Sequence, residues 1–558
     1  MNIHTKIKKW IKETLKIEDD FVLAHPKDIK NGDYAFFSLS KNLAEDLEKL
    51  EKNKIPEIDK LEVVGKFVNL YLSKDFFANS IEDILDKGDK CEENDLFKDK
   101  KIIIEYTDPN PFKEFHIGHL MSNSIGEAIS RIIETGGSHI KRLSYGGDVG
   151  LHVAKSIFAV LVQKDKIEKI KNADEKEQIK FWAECYVSGN KQYEDDEKAK
   201  GEIDDLNKVI FDKSNSEINK LYEWGRKLSI KYFQEMFKRL DTHFDKNIWE
   251  SEVTEDALKA VELGLQKNIL EKSEGAVVFV GENYGLHTRV FINSKGVPIY
   301  EAKELGLGIK KFEDFSFDKS IVITGNEQNE YFKVILKATE LIKPEISGKT
   351  VHIGHGMLRF ASGKMSSRKG NVITAEDLIE QVKEKVFEKI KDRDFPENEK
   401  QEVAEIVAIG AIKYSILRQA IGGDIIFDFD KSISFEGDSG PYLQYACVRA
   451  NSVLEKAKNY TTPKKPRGTL DTWETTELER HLYRFEEVVE RAGIEYAPHY
   501  LVTYLTELAS IFNSFYASNK IIDENDPSSP YKLSLTQAVA HILKSGLHLL
   551  GIKVPERM

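Results

Sequence analysis

The stretch from Lys101 to Tyr145 most limits what this chain can fold into. It opens with Lys-Ile-Ile-Ile-Glu-Tyr, a continuous apolar run of strand length. A proline-interrupted turn, Thr107 to Phe115, follows. Apolar residues then recur at Ile117, Leu120, Met121, Ile125, Ala128, Ile129, Ile132 and Ile133, the spacing of one helix face, and Gly136-Gly137 ends the run. A second strand covers Ile140 to Tyr145. Strand, turn, helix and strand within about 45 residues form a βαβ unit and predict a parallel sheet.

The rest of the 558-residue chain is organised around that unit. Its length predicts about three or four domains. Residues 1–92 read as a small α+β domain. Helical periodicity runs through Ile7, Trp10, Ile11 and Leu15, an apolar segment spans Tyr34 to Leu39, and a charged helix follows at roughly Leu43 to Lys54. Val63 to Leu72 alternates like a strand, and the charged stretch Lys87 to Asp99 reads as a linker. Residues 93–390 contain the βαβ unit, a charged helical insertion at about 155–270, and strand signals at Ala276–Val280, Thr288–Ile292, Ser320–Thr324 and Thr350–Ile353. Residues 391–558 read as helical, broken by a basic loop with Pro463, Lys464, Lys465, Pro466, Arg467 and Gly468. The expected class is α/β plus all-α.

Charge and cysteine usage exclude several functions. There are 82 Lys+Arg against 94 Asp+Glu, a formal net charge of −12, so a uniformly basic nucleic-acid coat is ruled out while a local basic surface is not. The 3 cysteines, Cys91, Cys185 and Cys447, lie far apart with no clustered histidines, which argues against a disulfide framework and a structural metal. A reducing cytoplasm is the expected address. No apolar run of about 18 residues is present, so no membrane span is expected. The basic, amphipathic start acquires Glu13, Glu18, Asp19 and Asp20 at once, and reads as a first helix rather than a presequence.

Two motifs carry chemistry. Immediately after the first strand stands Pro-Phe-Lys-Glu-Phe-His-Ile-Gly-His-Leu, with Lys113, His116, Gly118 and His119 at a strand-to-helix junction. A helix N-terminus offers free N–H groups and a positive dipole end, a setting suited to phosphate. Two imidazoles one helical turn apart can donate to phosphate oxygens as charge develops. The same letters recur at His352–His355, at the end of a strand, with no amphipathic helix after them. Placement therefore selects the first copy. The second motif is Gly-Lys-Met-Ser-Ser-Arg-Lys-Gly from Gly363, a glycine-bounded basic loop suited to clamping a polyphosphate.

Together, His-Ile-Gly-His and Lys-Met-Ser-Ser-Arg resemble the signature pair of class I aminoacyl-tRNA synthetases, and the whole chain is similar to the arginyl-tRNA synthetases. Glu-Tyr-Thr-Asp-Pro-Asn-Pro-Phe, Ser-Tyr-Gly-Gly-Asp-Val-Gly at Ser144, the helical segments at Ser439 and Pro498, and the end Leu-Leu-Gly-Ile-Lys-Val-Pro-Glu-Arg-Met extend the match over nearly the full length. The resemblance implies a Rossmann-like class I catalytic domain, a C-terminal helical anticodon-binding bundle at 391–558 and an N-terminal tRNA-contacting domain at 1–92. It implies ATP-dependent attachment of L-arginine to the 3′ end of its tRNA through an arginyl-adenylate, with release of pyrophosphate and AMP. ATP with Mg²⁺ is expected as substrate, with no resident metal, and tRNA(Arg) and L-arginine as partners of a monomer.

By the same resemblance, His116, His119, Lys113, Lys364 and Arg368 are catalytic. ATP contacts fall to His116, Gly118, His119, Gly356, Met357, Lys364, Ser366 and Ser367. The arginine pocket draws on Glu105, Asp108, Asn110, Asp148, Tyr300, Glu304 and Gln328, with Glu327 or Gln328 left open as the substrate-facing residue. Carboxylates are the right chemistry for a planar guanidinium fork. Tyr442, Tyr445, Tyr516 and Met558 are implied for the anticodon. Three positions depart from the family pattern. Asp108 stands for a usual Ser, Glu304 for a usual Asp, and Ser367 for a loop lysine whose role Lys113 would take. Three other readings are open on the sequence: a class I synthetase for cysteine, glutamate or lysine, a non-catalytic tRNA-binding relative, and a small-metabolite nucleotidyltransferase. The missing Cys/His cluster, the acidic pocket, the intact motifs and the long helical C-terminal region count against them in turn.

Overall fold

The computed structural model describes residues 2–37, 43–361, 374–458 and 473–558. They divide into two compact units, one of Phe97–Glu384 with Gln419–Phe429, the other of Met1–Leu96, Lys385–Arg418 and Asp430–Met558. The N-terminal α+β segment and the C-terminal helices thus share one unit.

In that second unit a helix, Ile3–Leu15, is capped by Asn2, whose side chain accepts from the Thr5 N–H at 2.8 Å. It packs on a four-stranded antiparallel sheet of β1 (Leu23–Ala24), β2 (Tyr34–Phe37), β3 (Ile58–Val64) and β4 (Phe67–Leu72), in the order β1-β2-β4-β3. The alternation from Val63 to Leu72 is therefore not one strand but the turn and second arm of a hairpin. Gly65 turns the chain with φ +63°, a conformation that favours glycine. Tyr483 joins the core of this sheet from the C-terminal helices. The expected linker is in part docked. The Cys91 thiol reaches the Ser545 hydroxyl at 3.4 Å, and Asp89 accepts from His541 at 2.8 Å and from Lys544. Long helices, Glu397–Leu417, Gly440–Lys456, His499–Ser518 and Ser529–Leu549, complete the unit.

The first unit is built on a parallel sheet of β5 (Lys101–Glu105), β6 (His139–Gly146), β7 (Lys246–Trp249), β11 (Lys319–Gly325) and β12 (Thr350–His355), ordered β12-β11-β5-β6-β7. A separate antiparallel sheet holds β8 (Glu271–Ser273), β9 (Ala276–Phe279) and β10 (Arg289–Ile292). β5 is central, and Ile102, Ile103 and Ile104 are buried on both faces, as an unbroken apolar run predicts. Each such side chain contributes about 1.5–3 kcal/mol by leaving water. Glu105 pairs in register with Val322 on one side and Leu143 on the other. The strand ends at Glu105, Gly146, Gly325 and His355 emerge at the C-terminal edge of the sheet, where open α/β sheets bind ligands.

Five helices between Leu151 and Arg239 form the charged insertion. It ends earlier than the composition indicates, because Lys246–Trp249 returns to the sheet as β7, parallel to β6. Four residues inside a charged stretch leave too weak a pattern to read as a strand. Among the described residues, no helix is long and apolar enough to cross a membrane.

Candidate active site

The turn between β5 and the helix Ile117–Glu134 is held in a costly conformation. Thr107, Asp108 and Phe112 have φ of 81°, 46° and 70°, each in the left-handed region that non-glycine residues avoid. Such residues cost roughly 1–3 kcal/mol each and persist only where surrounding contacts over-determine them. Those contacts are present. The Thr107 N–H donates to Ser122 Oγ at 3.0 Å, and its hydroxyl accepts from Asn123 at 3.1 Å. Asp108 Oδ1 accepts the Tyr145 N–H at 2.7 Å, and Asn110 Oδ1 accepts the Gly147 N–H at 2.7 Å. The Phe112 N–H donates to Ser229 Oγ at 2.9 Å. Gly147 lies so close that an added Cβ would sit 2.9 Å from Asn110 Oδ1.

The turn delivers His116 and His119 to the start of the helix. Their rings stack at 3.5 Å with 20° between planes. The His116 N–H donates to His119 Nδ1 at 3.2 Å, which leaves the proton of a neutral His119 on Nε2 as a free donor. Burial, with His116 and Lys113 adding to it, pushes His119 well below the usual imidazole range. The His116 edge is open to solvent, but the surrounding protein and the Lys113 charge still lower its pKa to about 4. Both rings are therefore uncharged donors at neutral pH. Gly118 serves this pair directly, since a Cβ there would lie 3.0 Å from the His116 ring. The Lys113 ammonium stands 5.1 Å from the ring centroid of Tyr186, a residue of the insertion helix Glu175–Asp195.

An acidic cluster gathers at the end of β5 and in the turn after it. Glu105 is 2% exposed and accepts from Lys311 Nζ at 2.9 Å. Asp108 is raised well above the carboxylate range by burial and then by the Glu105 charge. Glu304 is raised to about 8 by burial, with Glu105 next in effect. Among the described residues Glu304 makes no hydrogen bond or ion pair. The Tyr145 hydroxyl is buried without a hydrogen-bond partner among the described residues, within the electrostatic reach of Glu304 and Glu105. Among the described residues Glu304 and Tyr145 thus leave a carboxyl and a hydroxyl without a hydrogen-bond partner, in a cluster where three carboxyl groups share one ammonium. Lys311 and Tyr145 did not emerge from the sequence. Lys311 lies 206 residues from Glu105, and only the fold brings the two together.

The remaining expected residues are spread more widely. Asp148 is already engaged by four donors, the Ser251 N–H and hydroxyl, Arg226 Nε and the Tyr222 hydroxyl. Tyr300 is 65% exposed, and its carbonyl accepts from the Tyr331 hydroxyl at 3.1 Å. Gln328 is exposed in the short turn after β11. The Glu327 charge reaches both His116 and His355. Gly356 and Met357 follow β12 directly, and the Met357 N–H donates to Asp424 at 2.9 Å. Lys364, Ser366, Ser367 and Arg368, with the basic loop Lys464, Lys465 and Arg467, lie outside the described residues.

The other unit holds a cavity of ≈ 680 Å³ between helices, with Tyr442, Tyr445 and Met558 in its wall. Arg449 organises it. Its guanidinium lies 4.7 Å from the Tyr445 ring and 5.3 Å from the Tyr516 ring, and it donates to Asn513, which donates on to the Tyr442 hydroxyl at 3.0 Å. Lys389 and Arg393 also line it. Aromatic faces beside cations can stack unpaired bases and meet their phosphates. Sequence reasoning selected the tyrosines but not Arg449 or Asn513.

Comparison with known proteins places the chain in a family. Residues 80–429 match the family described as tRNA synthetases class I (R), catalytic domain, and residues 443–558 match the DALR anticodon binding domain. An arginine–tRNA ligase of Halothermothrix orenii is 32% identical over 557 residues, covering 98% of this chain and 97% of the relative. One of Clostridium botulinum is 30% identical and covers 100% of both chains. Among solved structures, the arginyl-tRNA synthetase of Thermus thermophilus aligns over 100% of both chains with a TM-score of 0.83 at 24% identity. A methionyl-tRNA synthetase of Mycobacterium tuberculosis aligns over 81% of this chain and 91% of its own with a TM-score of 0.51 at 12% identity, a likeness of fold. The chain belongs to the arginine–tRNA ligases, a family of class I aminoacyl-tRNA synthetases.

Proposed function

We propose that this protein joins L-arginine to the 3′ end of its tRNA at the expense of ATP. The observation that carries the reading is Glu304 and the buried Tyr145 hydroxyl, both without a hydrogen-bond partner among the described residues, in an acid cluster at the end of the strand whose following turn leads to the two neutral histidines. A guanidinium supplies the missing positive charge and N–H donors at once. An apolar or acidic side chain would leave those groups unpaired, at a cost of several kcal/mol.

In the first step the arginine carboxylate attacks the α-phosphorus of ATP in line. The bond to the bridging oxygen of the β-phosphate breaks, and pyrophosphate leaves with its electron pair. The nucleophile is already an anion, so the protein supplies position and charge stabilisation rather than a base. His119 Nε2–H and His116 donate to the phosphates, as the free N–H groups of the helix start do. Lys113 neutralises the departing pyrophosphate in place of the lysine missing at Ser367, together with Lys364 and Arg368. In the second step a ribose hydroxyl of the terminal tRNA adenosine attacks the acyl carbon and AMP leaves. Mg²⁺ enters on the ATP phosphates as part of the substrate.

The family resemblance supports Gly356 and Met357 as adenosine contacts, and Tyr442, Tyr445, Tyr516 and Met558 as anticodon contacts. It likewise supports three functional regions, 1–92, 93–390 and 391–558, and the three scattered cysteines support a cytoplasmic address. Transfer of radiolabelled arginine to tRNA(Arg) tests the reading, with lysine and the uncharged isostere citrulline as controls. Charging by citrulline as readily as by arginine would refute the acidic-pocket account.

A further inference from the structure

Lys311 stands in the acidic pocket, yet no step of the reaction uses it. Its ammonium is 2.9 Å from Glu105, and the two side chains are 3% and 2% exposed. It lies on the helix Tyr300–Phe315, two turns beyond Glu304 and on the same face. The groups around it come from every neighbouring element. β5 contributes Glu105, the strained turn contributes Asp108, and the helix itself contributes Glu304, all three of which act on Lys311 through their charge. Farther out, Tyr145 of β6, Tyr331 and Glu250 share the field of Glu304, and Glu250 is bound by Lys303 at 2.8 Å. Three carboxyl groups therefore face one resident ammonium.

We propose that Lys311 is a positioning and specificity-determining residue of the arginine subsite. It ties up Glu105 from inside the fold, so that an incoming guanidinium meets Glu304 as the open acid, with the Tyr145 hydroxyl beside it. The proposal rests on the arginine–tRNA ligase reading above. Its physical basis is that neighbouring carboxyls cannot all ionise without compensating charge. Lys311 lowers the ionisation pH of both Glu304 and Asp108, against burial and the Glu105 charge, which raise it. Without Lys311, Glu304 ionises above its present value of about 8. Because an arginine cation binds the ionised carboxyl, the KM for arginine falls as pH rises, and loss of Lys311 moves that fall to higher pH.

The experiment is steady-state charging of tRNA(Arg) by the full chain, with arginine varied from about pH 6.5 to 9, for the wild type, Lys311→Met and Lys311→Arg. Lys311→Met is expected to raise the arginine KM about tenfold or more at neutral pH, with a smaller loss in kcat and the KM for ATP within about twofold. Its KM–pH curve is displaced to higher pH, and Lys311→Arg restores the wild-type curve. An unchanged arginine KM, or a raised KM with no displacement along the pH axis, overturns the proposal. Should Lys311→Met fail to fold, arginine-binding calorimetry on the wild type in two buffers of different ionisation heat decides. Proton release on binding near neutral pH supports the account, and a buffer-independent heat overturns it. A wild type that charges no arginine sinks the functional reading itself, whereas an active wild type with an indifferent Lys311→Met sinks only the role of Lys311.

Discussion

The letters His-Ile-Gly-His occur twice, at 116–119 and at 352–355, and the two copies have unlike structures. In the first, the chain leaves a strained turn and enters a helix, so that the histidines fall one turn apart with rings stacked at 3.5 Å. In the second, the residues belong to β12, where alternate side chains point to opposite faces. His352 there stacks on Phe332 at 4.0 Å and shares a hydrogen bond with the Thr324 hydroxyl at 2.8 Å, so its polar atoms serve the contact between β11 and β12. His355 is buried and donates from Nδ1 to the Gly356 carbonyl at 2.7 Å. A motif acts through the backbone that carries it. Helical spacing converges two imidazoles on one point, and strand spacing separates them.

That contrast can be broken by mutation. The largest effect is expected at the first copy. His119→Ala should cut charging by about 10²–10³-fold with the fold retained, since a preorganised donor is lost where phosphate charge develops. Lys113→Ala should cost about 10²-fold in charging by the same reasoning. Wild-type rates in either variant would remove the first copy from the mechanism. At the second copy the loss should be one of stability. His352→Ala removes a stacked ring and a hydrogen bond, about 1–3 kcal/mol together, and denaturant unfolding should show it while charging falls less than about tenfold. A fall as large as that of His119→Ala would show that the two copies share one task. The smallest expected effect is a flat response to acid. His116, with its pKa at about 4, stays neutral as pH falls from 7 toward 5, whereas an unperturbed imidazole charges near 6.5. With arginine saturating, kcat should change by less than about twofold over that window. An acid limb near pH 6.5 would mean that His116 is protonated in the working site.

The sequence placed the two copies on different backbones, the first at a helix start and the second at a strand end, because only the first precedes an amphipathic run. It likewise identified β5, since three isoleucines in a row make sense only in a strand covered on both faces. Glu105 then follows at the strand end. Other features were not legible, for physical reasons. The β3–β4 hairpin was masked because Gly65-Lys66 separates two runs whose alternation continues across the turn. β7 is four residues long within a charged region. The partner of Glu105 lies on a distant helix, and Lys311 in Gly-Ile-Lys-Lys-Phe looks like any solvated lysine until its 3% exposure is known. The role of Asp148 also depends on the fold, because its four donors come from residues 222–251.

The turn at 107–112 is fixed from three directions, by Ser122 and Asn123 of one helix, by the backbone of Tyr145 and Gly147, and by Ser229 of the insertion. None of these anchors lies within the turn itself. Its shape is imposed by elements that lie outside it, so on heating the first one to loosen releases the histidines while most of the structure is intact. Thermal inactivation should then come several degrees before the cooperative unfolding transition, and a ligand seated against the turn should close that gap from below without moving the transition by an equal amount.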